Sequence, residues 1–300
     1  MLSVLLAVLA AVANAAASVL QRKAARDQPE SENLSWRLLL SLLHRPVWFA
    51  GILSIIVGFL LQAVALSNGR LSVVEPVLVL ELPVTLLLSA LVFRSRLGAR
   101  EWGASAAMAA GLAGLLYFLS PSAGSSADVS GRLWAVASCV NLLLVGALVW
   151  WARTTPPGAR RAALLGVATG CGFGFTAALI KGMTQTYSQG VAALFTSWQV
   201  YAMIVAGAGA MFLLQSAMQA GRLLATQPGL TMADPVVSIL WGVLVFGEEV
   251  RGGVFIILSV VAALVVAGAV IMLTRSPLLA GEAGRQEEKT PRGHGEAENP

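Results

Sequence analysis

The chain has 300 residues, of which 57% are hydrophobic and only 12% are charged. A soluble domain of this length cannot bury so much apolar surface, so we predict an all-α polytopic protein whose main solvent is the lipid bilayer. The net charge of +5 could suit nucleic acid. The basic residues, however, stand in short loops between apolar runs and form no patch with aromatic neighbours. We therefore expect no nucleic-acid partner.

About nine apolar stretches are each long enough to cross a hydrocarbon layer of about 30 Å as an α-helix. The first lacks a positively charged start and is followed by basic residues, which favours a retained helix over a signal peptide. After it, residues 21–46 are predicted to form a cytoplasmic loop, and residues 276–300 a disordered cytoplasmic tail. The predicted spans are residues 2–20, 47–66, 71–93, 102–119, 133–151, 162–180, 191–214, 223–246 and 254–273.

The distribution of positive charge predicts the orientation. With the N-terminus outside, 16 of the 20 Lys and Arg residues fall on the inner side. Because short loops rich in Lys and Arg stay in the cytoplasm, we predict a multi-pass plasma-membrane protein with its N-terminus outside and its C-terminus cytoplasmic. In this topology Lys181 extends toward the outer surface, and Glu248 and Glu249 stay solvated in an outer loop.

Residues 59–93 and 212–246 have similar sequences. The alternation of spans makes the helices at 71–93 and 223–246 run in opposite directions, so the repeats are predicted to be inverted. We assign residues 1–120 to the first repeat, 131–152 to a connecting helix and 161–275 to the second repeat. With one residue gapped, the alignment pairs Gln62 with Gln215, Glu75-Pro76 with Gln227-Pro228, and Pro83 with Pro235.

Two acidic residues, Glu81 and Asp234, lie near the predicted bilayer centre. An ionised carboxylate there costs about 2.5–3.5 kcal/mol on insertion scales, which favours substrate binding, cation ligation or proton coupling. Alternatively, each is protonated and hydrogen-bonded to a neighbouring helix. The amide and acid side chains of the repeats are further candidate binding residues, namely Glu75, Gln227, Gln62 and Gln215.

Prolines inside the repeated spans are candidate helix breaks, because proline removes a helical hydrogen bond and frees a carbonyl that could bind a ligand. A kink that serves only packing is an equally open interpretation. These prolines are Pro76, Pro83, Pro228 and Pro235. Gly166, Gly170 and Gly174 recur every four residues, which predicts a surface for close helix packing.

Enzymatic motifs with HExxH, GxSxG or phosphate-loop spacing do not occur in the sequence, so we predict no enzymatic activity and no cofactor. Cys139 and Cys171 have neither metal-ligand nor CxxC spacing, and we expect both to be small core residues.

The segment PVVSILWGVLVFGEEVRGG, followed by a helix rich in Gly and Ala, resembles the EamA-like drug/metabolite transporter superfamily. Repeats of that superfamily carry a helix with a mid-membrane proline that ends in an LxxGE-like turn. The first copy departs from the pattern with Arg94-Ser95-Arg96. Nine spans with an outside N-terminus also resemble the NIPA-like magnesium-transporter branch.

The resemblance and the inverted repeat together predict a secondary transporter of a small solute or cation that works by alternating access. A NIPA-like magnesium transporter, with Glu81 and Asp234 on the metal, is the alternative. A non-transporting membrane scaffold is an alternative of another class. The expected partners are the lipid bilayer and the transported solute, and a homodimer is left open.

Overall fold

The described part of the chain folds into helices. A computed structural model describes residues 2–26, 46–93, 97–122, 129–187, 190–220 and 223–275. The prediction of an all-α fold is confirmed. The helices are α1 (Leu2–Arg26), α2 (Pro46–Asn68), α3 (Leu71–Leu78), α4 (Glu81–Val92), α5 (Ala99–Leu119), α6 (Gly131–Thr154), α7 (Ala159–Tyr187), α8 (Val191–Thr196), α9 (Trp198–Ala220), α10 (Leu223–Leu244) and α11 (Val254–Thr274).

The protein is a polytopic membrane protein. Eight helical stretches of the described chain are long and apolar enough to cross a membrane, with α3 and α4 together forming one of them. Helix α10 is not among the eight: it has 22 residues but contains Gln227, Asp234 and two prolines. Residues 225–235 of this helix are buried or half-buried. Contact with the other helices rather than with lipid makes these polar residues tolerable at membrane depth.

Two predicted boundaries are wrong. Helix α1 continues to Arg26, so the start of the predicted loop 21–46 is helical. The predicted span 191–214 is instead the short α8 and the longer α9, separated at Ser197. Hydroxyl side chains compete here with the helical backbone, as Thr196 Oγ1 donates to the Ala193 carbonyl at 3.1 Å. Residues 27–45 and the predicted tail 276–300 lie outside the described part of the chain.

The helices before and after α6 pack in the same pattern. Helix α1 contacts α2, α3 and α4, and α7 correspondingly contacts α9 and α10. The last helix of the first half, α5, packs against the last helix of the second half, α11. The repeated sequence thus corresponds to a repeated arrangement of helices.

Helix α3 begins where α10 ends, so the two run in opposite directions. The Glu248 carboxylate, just after α10, accepts hydrogen bonds from the Leu71 and Ser72 amides at 2.7 and 3.0 Å. Nearby, the Ser122 amide donates to the Glu249 carbonyl at 2.8 Å. We call the end of the bundle marked by Arg70, Ser122, Lys181, Glu248 and Arg251 the Glu248 face.

The opposite end of the bundle is marked by the turn between α6 and α7. There the Gly158 amide donates to the Ala220 carbonyl at 3.0 Å. We call this end the Ala220 face. The helices predicted to cross the membrane in alternating directions therefore begin and end at these two faces.

Candidate functional site

A cavity of about 530 Å³ lies between the two halves of the bundle. Residues of α1 to α4 line one side, and residues of α7, α9 and α10 line the other. The lining includes three carboxylic acids and, among the described residues, neither Lys, Arg nor His. Its polar lining residues are Asn14, Ser18, Gln21, Gln62, Glu75, Glu81, Thr176, Gln227, Thr231 and Asp234. A positively charged group would therefore meet carboxylic acids here and no basic lining residue of the described chain.

Glu81 stands directly after a turn that divides the third span. Helix α3 ends at Leu78 and α4 begins at Glu81, so Val79 and Leu80 form the turn. Its hydrogen bonds span three residues rather than four, as the Val79 amide donates to the Pro76 carbonyl at 3.2 Å. The turn brings Glu81 to the cavity, where the Asn14 side chain is its hydrogen-bond partner.

Glu75 lies deeper, with only 3% of its surface exposed. The Gln62 side-chain amide donates to its carboxylate at 2.9 Å. Because an unsatisfied carboxylate in an apolar interior is costly, this bond from α2 fixes the position of the acid on α3. Gln62 is thus a partner of Glu75 as well as a lining residue.

Asp234 reaches the cavity from α10 because α7 and α10 approach each other backbone to backbone. A Cβ built on Gly170 would lie 2.5 Å from the Leu230 carbonyl oxygen, and one on Gly174 would lie 2.9 Å from that of Asp234. Only glycine allows this approach, so the prediction of a close-packing glycine surface is confirmed. The Ser238 hydroxyl lies 3.5 Å from the Asp234 carboxylate.

Three acids, rather than the two nearest the predicted bilayer centre, line the cavity. Glu75 and Glu81 belong to the first repeat and Asp234 to the second. The sequence pairs Asp234 with Glu81 because both are near the bilayer centre. In the structure Glu75 lines the same cavity as this pair.

The structure places some of the predicted site residues at the cavity and others away from it. The residues that line the cavity are Gln62, Glu75, Glu81, Gln227, Asp234 and Pro235. Gln215 does not join them and is exposed on α9. The alignment of Gln215 with Gln62 needs a one-residue gap, and one residue turns an α-helical side chain by about 100°. Although the two residues are aligned in sequence, the Gln215 side chain therefore does not point toward the cavity as the Gln62 side chain does.

The prediction of helix breaks at the prolines is wrong for the second copy. Helix α10 continues through both Pro228 and Pro235. In the first copy the break falls at Val79 and Leu80, between Pro76 and Pro83 rather than at either. Proline is tolerated inside membrane helices where neighbouring helices support the backbone, and α7 packs along α10.

Two carbonyls at the level of the acids lose their usual helical donors. Pro83 cannot donate to Val79, and Pro235 cannot donate to Thr231, because proline lacks an N–H group. The Val79 carbonyl instead accepts from the Leu82 amide at 3.2 Å. Val79 and Thr231 both line the cavity.

Sequence reasoning missed the contribution of α1. Asn14, Ser18 and Gln21 recur at helical spacing on one face, and all three line the cavity. A polar stripe within an Ala-rich and Val-rich span was the signal that could have identified this face.

The expectation that Glu248 is solvated is also wrong. Its side chain is 3% exposed and accepts bonds from Leu71, Ser72 and the Ser72 hydroxyl. The first amides of a helix lack acceptors within the helix, and this carboxylate supplies one for α3. Lys181 likewise does not extend to the surface: its ammonium lies 3.9 Å from Glu248.

No group of three His, Cys, Asp or Glu side chains in the described residues is arranged to hold a metal ion. Cys171 is buried in the core, as expected. Cys139 is instead exposed on α6. The cavity offers carboxylate, amide and hydroxyl oxygens, which suit a hard cation or an ammonium group.

The chain is similar to an uncharacterized protein of Corynebacterium glutamicum. The two are 31% identical over 252 residues, which cover 83% of this chain and 86% of the relative. No family model matches the chain, and no solved structure matches it.

Proposed function

We propose that this chain, which belongs to the same family as the Corynebacterium glutamicum protein, is a secondary transporter of a small cationic solute. The observation that carries the proposal is the cavity, which both halves of the bundle line and which contains Glu75, Glu81 and Asp234 without a basic lining residue in the described chain. Carboxylic acids at membrane depth are costly, and a bound cation would offset that cost.

The lining favours an organic cation over a hydrated metal ion. Apolar surface is contributed to the same cavity by Phe59, Phe173, Ile55 and Met211. Cavities of about 300–1,000 Å³ with apolar walls and a few placed polar groups are typical of small-molecule sites. A hydrated Mg²⁺ ion gains nothing from apolar walls, whereas an ammonium on an apolar body uses both surfaces. Magnesium transport remains the alternative.

Alternating access is supported by the antiparallel halves. Carriers with inverted repeats place their site at the repeat interface and expose it to each side by moving one repeat against the other. The cavity lies at that interface, with Glu75 and Glu81 from one half and Asp234 from the other. The LxxGE-like ending of α10 adds the resemblance to the drug/metabolite transporter superfamily.

The charge count supports an orientation in the plasma membrane. In it, the N-terminus and the Glu248 face are outside, and the Ala220 face is cytoplasmic. The described residues nearest the Ala220 face include Lys23, Arg153 and Arg160. Arg160 also lies over the Trp151 ring, 5.4 Å from its centroid.

Ligand-induced stabilisation of the purified protein tests the proposal. A ligand that binds only the folded state at a hundred times its Kd stabilises it by about 2.7 kcal/mol. We expect a saturable rise in unfolding temperature with tetraethylammonium chloride. Sodium glutamate at equal ionic strength, which supplies an organic anion instead of an organic cation, should produce no rise. Asp234→Asn should remove the rise, and the exposed-site variant Glu249→Gln should keep it.

Other outcomes would assign the protein differently. A saturable shift with MgCl₂ alone, lost in Asp234→Asn, would move the assignment to magnesium transport. A protein that none of these probes stabilises, and whose Asp234→Asn variant behaves as the wild type, would contradict the carrier and favour a membrane scaffold.

A further inference from the structure

The Glu248 carboxylate joins the two halves of the bundle at one end. It belongs to the segment after α10, in the second half, and its partners Leu71 and Ser72 begin α3 in the first half. The Ser72 hydroxyl donates to the same carboxylate. Three donors from one half therefore converge on one acceptor of the other.

Lys181 makes a second connection between the halves. Its ammonium, carried by α7, donates to the Leu66 carbonyl at 3.4 Å and to the Gly69 carbonyl at 2.5 Å. It also lies 3.9 Å from Glu248, with the two side chains 12% and 3% exposed. Low exposure leaves both charges dependent on these protein partners rather than on water.

These contacts lie directly beyond the cavity on the side of the Glu248 face. Ile180, the residue before Lys181, lines the cavity, and so does Glu75, about one helical turn after Ser72. At its other end the cavity reaches Gln21 and Gln227, near the Ala220 face. A solute moving from the acids toward the Glu248 face would meet the Lys181 and Glu248 contacts first.

The sequence of the first repeat does not offer the same carboxylate. Where the second repeat has Gly247-Glu248-Glu249 after Phe246, the first has Arg94-Ser95-Arg96 after Phe93. None of these three residues of the first repeat can provide a carboxylate acceptor. The sequence of the first repeat therefore has no counterpart of the Glu248 carboxylate in this segment.

We propose that Ser72, Lys181 and Glu248 form a latch that holds the Glu248 face closed, and that the latch must open for the cavity to reach that face. This inference rests on the proposed function, because it assigns the latch to one step of alternating access. Because these contacts join the two halves on the side of the Glu248 face, the latch favours the state in which that face is closed.

Distances between spin labels on the two faces test the latch. The pair Ser67 and Arg251 reports on the Glu248 face, and the pair Lys23 and Gln219 reports on the Ala220 face; all four positions are exposed. Each pair is introduced by cysteine substitution in a background with Cys139→Ser and Cys171→Ala. Distance distributions are measured in lipid nanodiscs for the wild-type latch, Glu248→Gln, Ser72→Ala and the control Glu249→Gln.

Glu248→Gln should raise the ratio of open to closed Glu248 face by roughly tenfold or more, because hydrogen bonds to a charged group are lost. The 67–251 distance should lengthen while the 23–219 distance shortens. A merely structural role would broaden both distributions without moving them in opposite directions. Ser72→Ala keeps both charges and should shift the same distances by less, which preserves the test if Glu248→Gln does not fold.

Unchanged distances in Glu248→Gln and Ser72→Ala would overturn the latch. If tetraethylammonium still moves both label pairs of the wild type, the carrier proposal survives and only the latch is lost. If no variant and no cation moves either pair, both the latch and alternating access are contradicted.

Discussion

Replacement of Gly170 by alanine should destabilise the bundle by separating α7 from α10. The added Cβ would lie 2.5 Å from the Leu230 carbonyl oxygen and 2.7 Å from the Ala233 Cβ. Ordinary van der Waals contact begins at 3.4 Å in this geometry, so α10 must retreat by about 1 Å at the level of Asp234. Overpacking of this kind typically costs about 1–3 kcal/mol.

Gly209→Ala on α9 is the matched control, since a Cβ there meets nothing within 4 Å. Alanine is also the better helix former by about 1 kcal/mol, so this change should be neutral or stabilising. Both variants are unfolded with increasing SDS in mixed micelles and followed by tryptophan fluorescence. We expect Gly170→Ala to unfold at lower SDS than the wild type and Gly209→Ala not to. Equal midpoints for the two variants would refute the close contact between α7 and α10.

Other variants test individual contacts of the site and the core. Gln62→Met removes the donor to Glu75 and should weaken tetraethylammonium binding about tenfold or more. The control Gln215→Met, at an exposed position of α9, should leave binding unchanged. Titration of each purified variant with tetraethylammonium gives the two dissociation constants to compare. Replacement of Trp134, which packs on three other aromatic rings, by alanine should lower the stability of the protein by about 3–5 kcal/mol. The same change at Trp150, which is 71% exposed, should have little effect, and equal losses in SDS unfolding would contradict the aromatic cluster.

The sequence predicts the helices and the acidic character of the cavity because both follow from local chemistry. Apolar length determines the spans, and an acid inside a span is conspicuous without any knowledge of its neighbours. Glu75, Glu81 and Asp234 were therefore identifiable, and all three line the cavity. The glycine surface on α7 was equally local, because its four-residue spacing places one residue per turn on one face.

What the sequence does not predict depends on contacts between distant residues. Gln215 has the same aligned neighbours as Gln62 but points away from the cavity, since a one-residue gap rotates it around its helix. Glu248 looks like an ordinary loop acid until α3 is placed beside it, more than 170 residues earlier in the chain. The prolines of α10 look like helix breaks until the support from α7 is known.

Uptake of labelled tetraethylammonium into proteoliposomes tests the acidic cavity most directly. Wild-type protein is compared with Glu81→Gln, Asp234→Asn and the control Glu249→Gln, at equal incorporation into the vesicles. We expect saturable uptake by the wild type and the control, and uptake at the level of empty vesicles for the two cavity variants. Equal uptake by all four proteins would contradict a transport route through the carboxylic acids of the cavity.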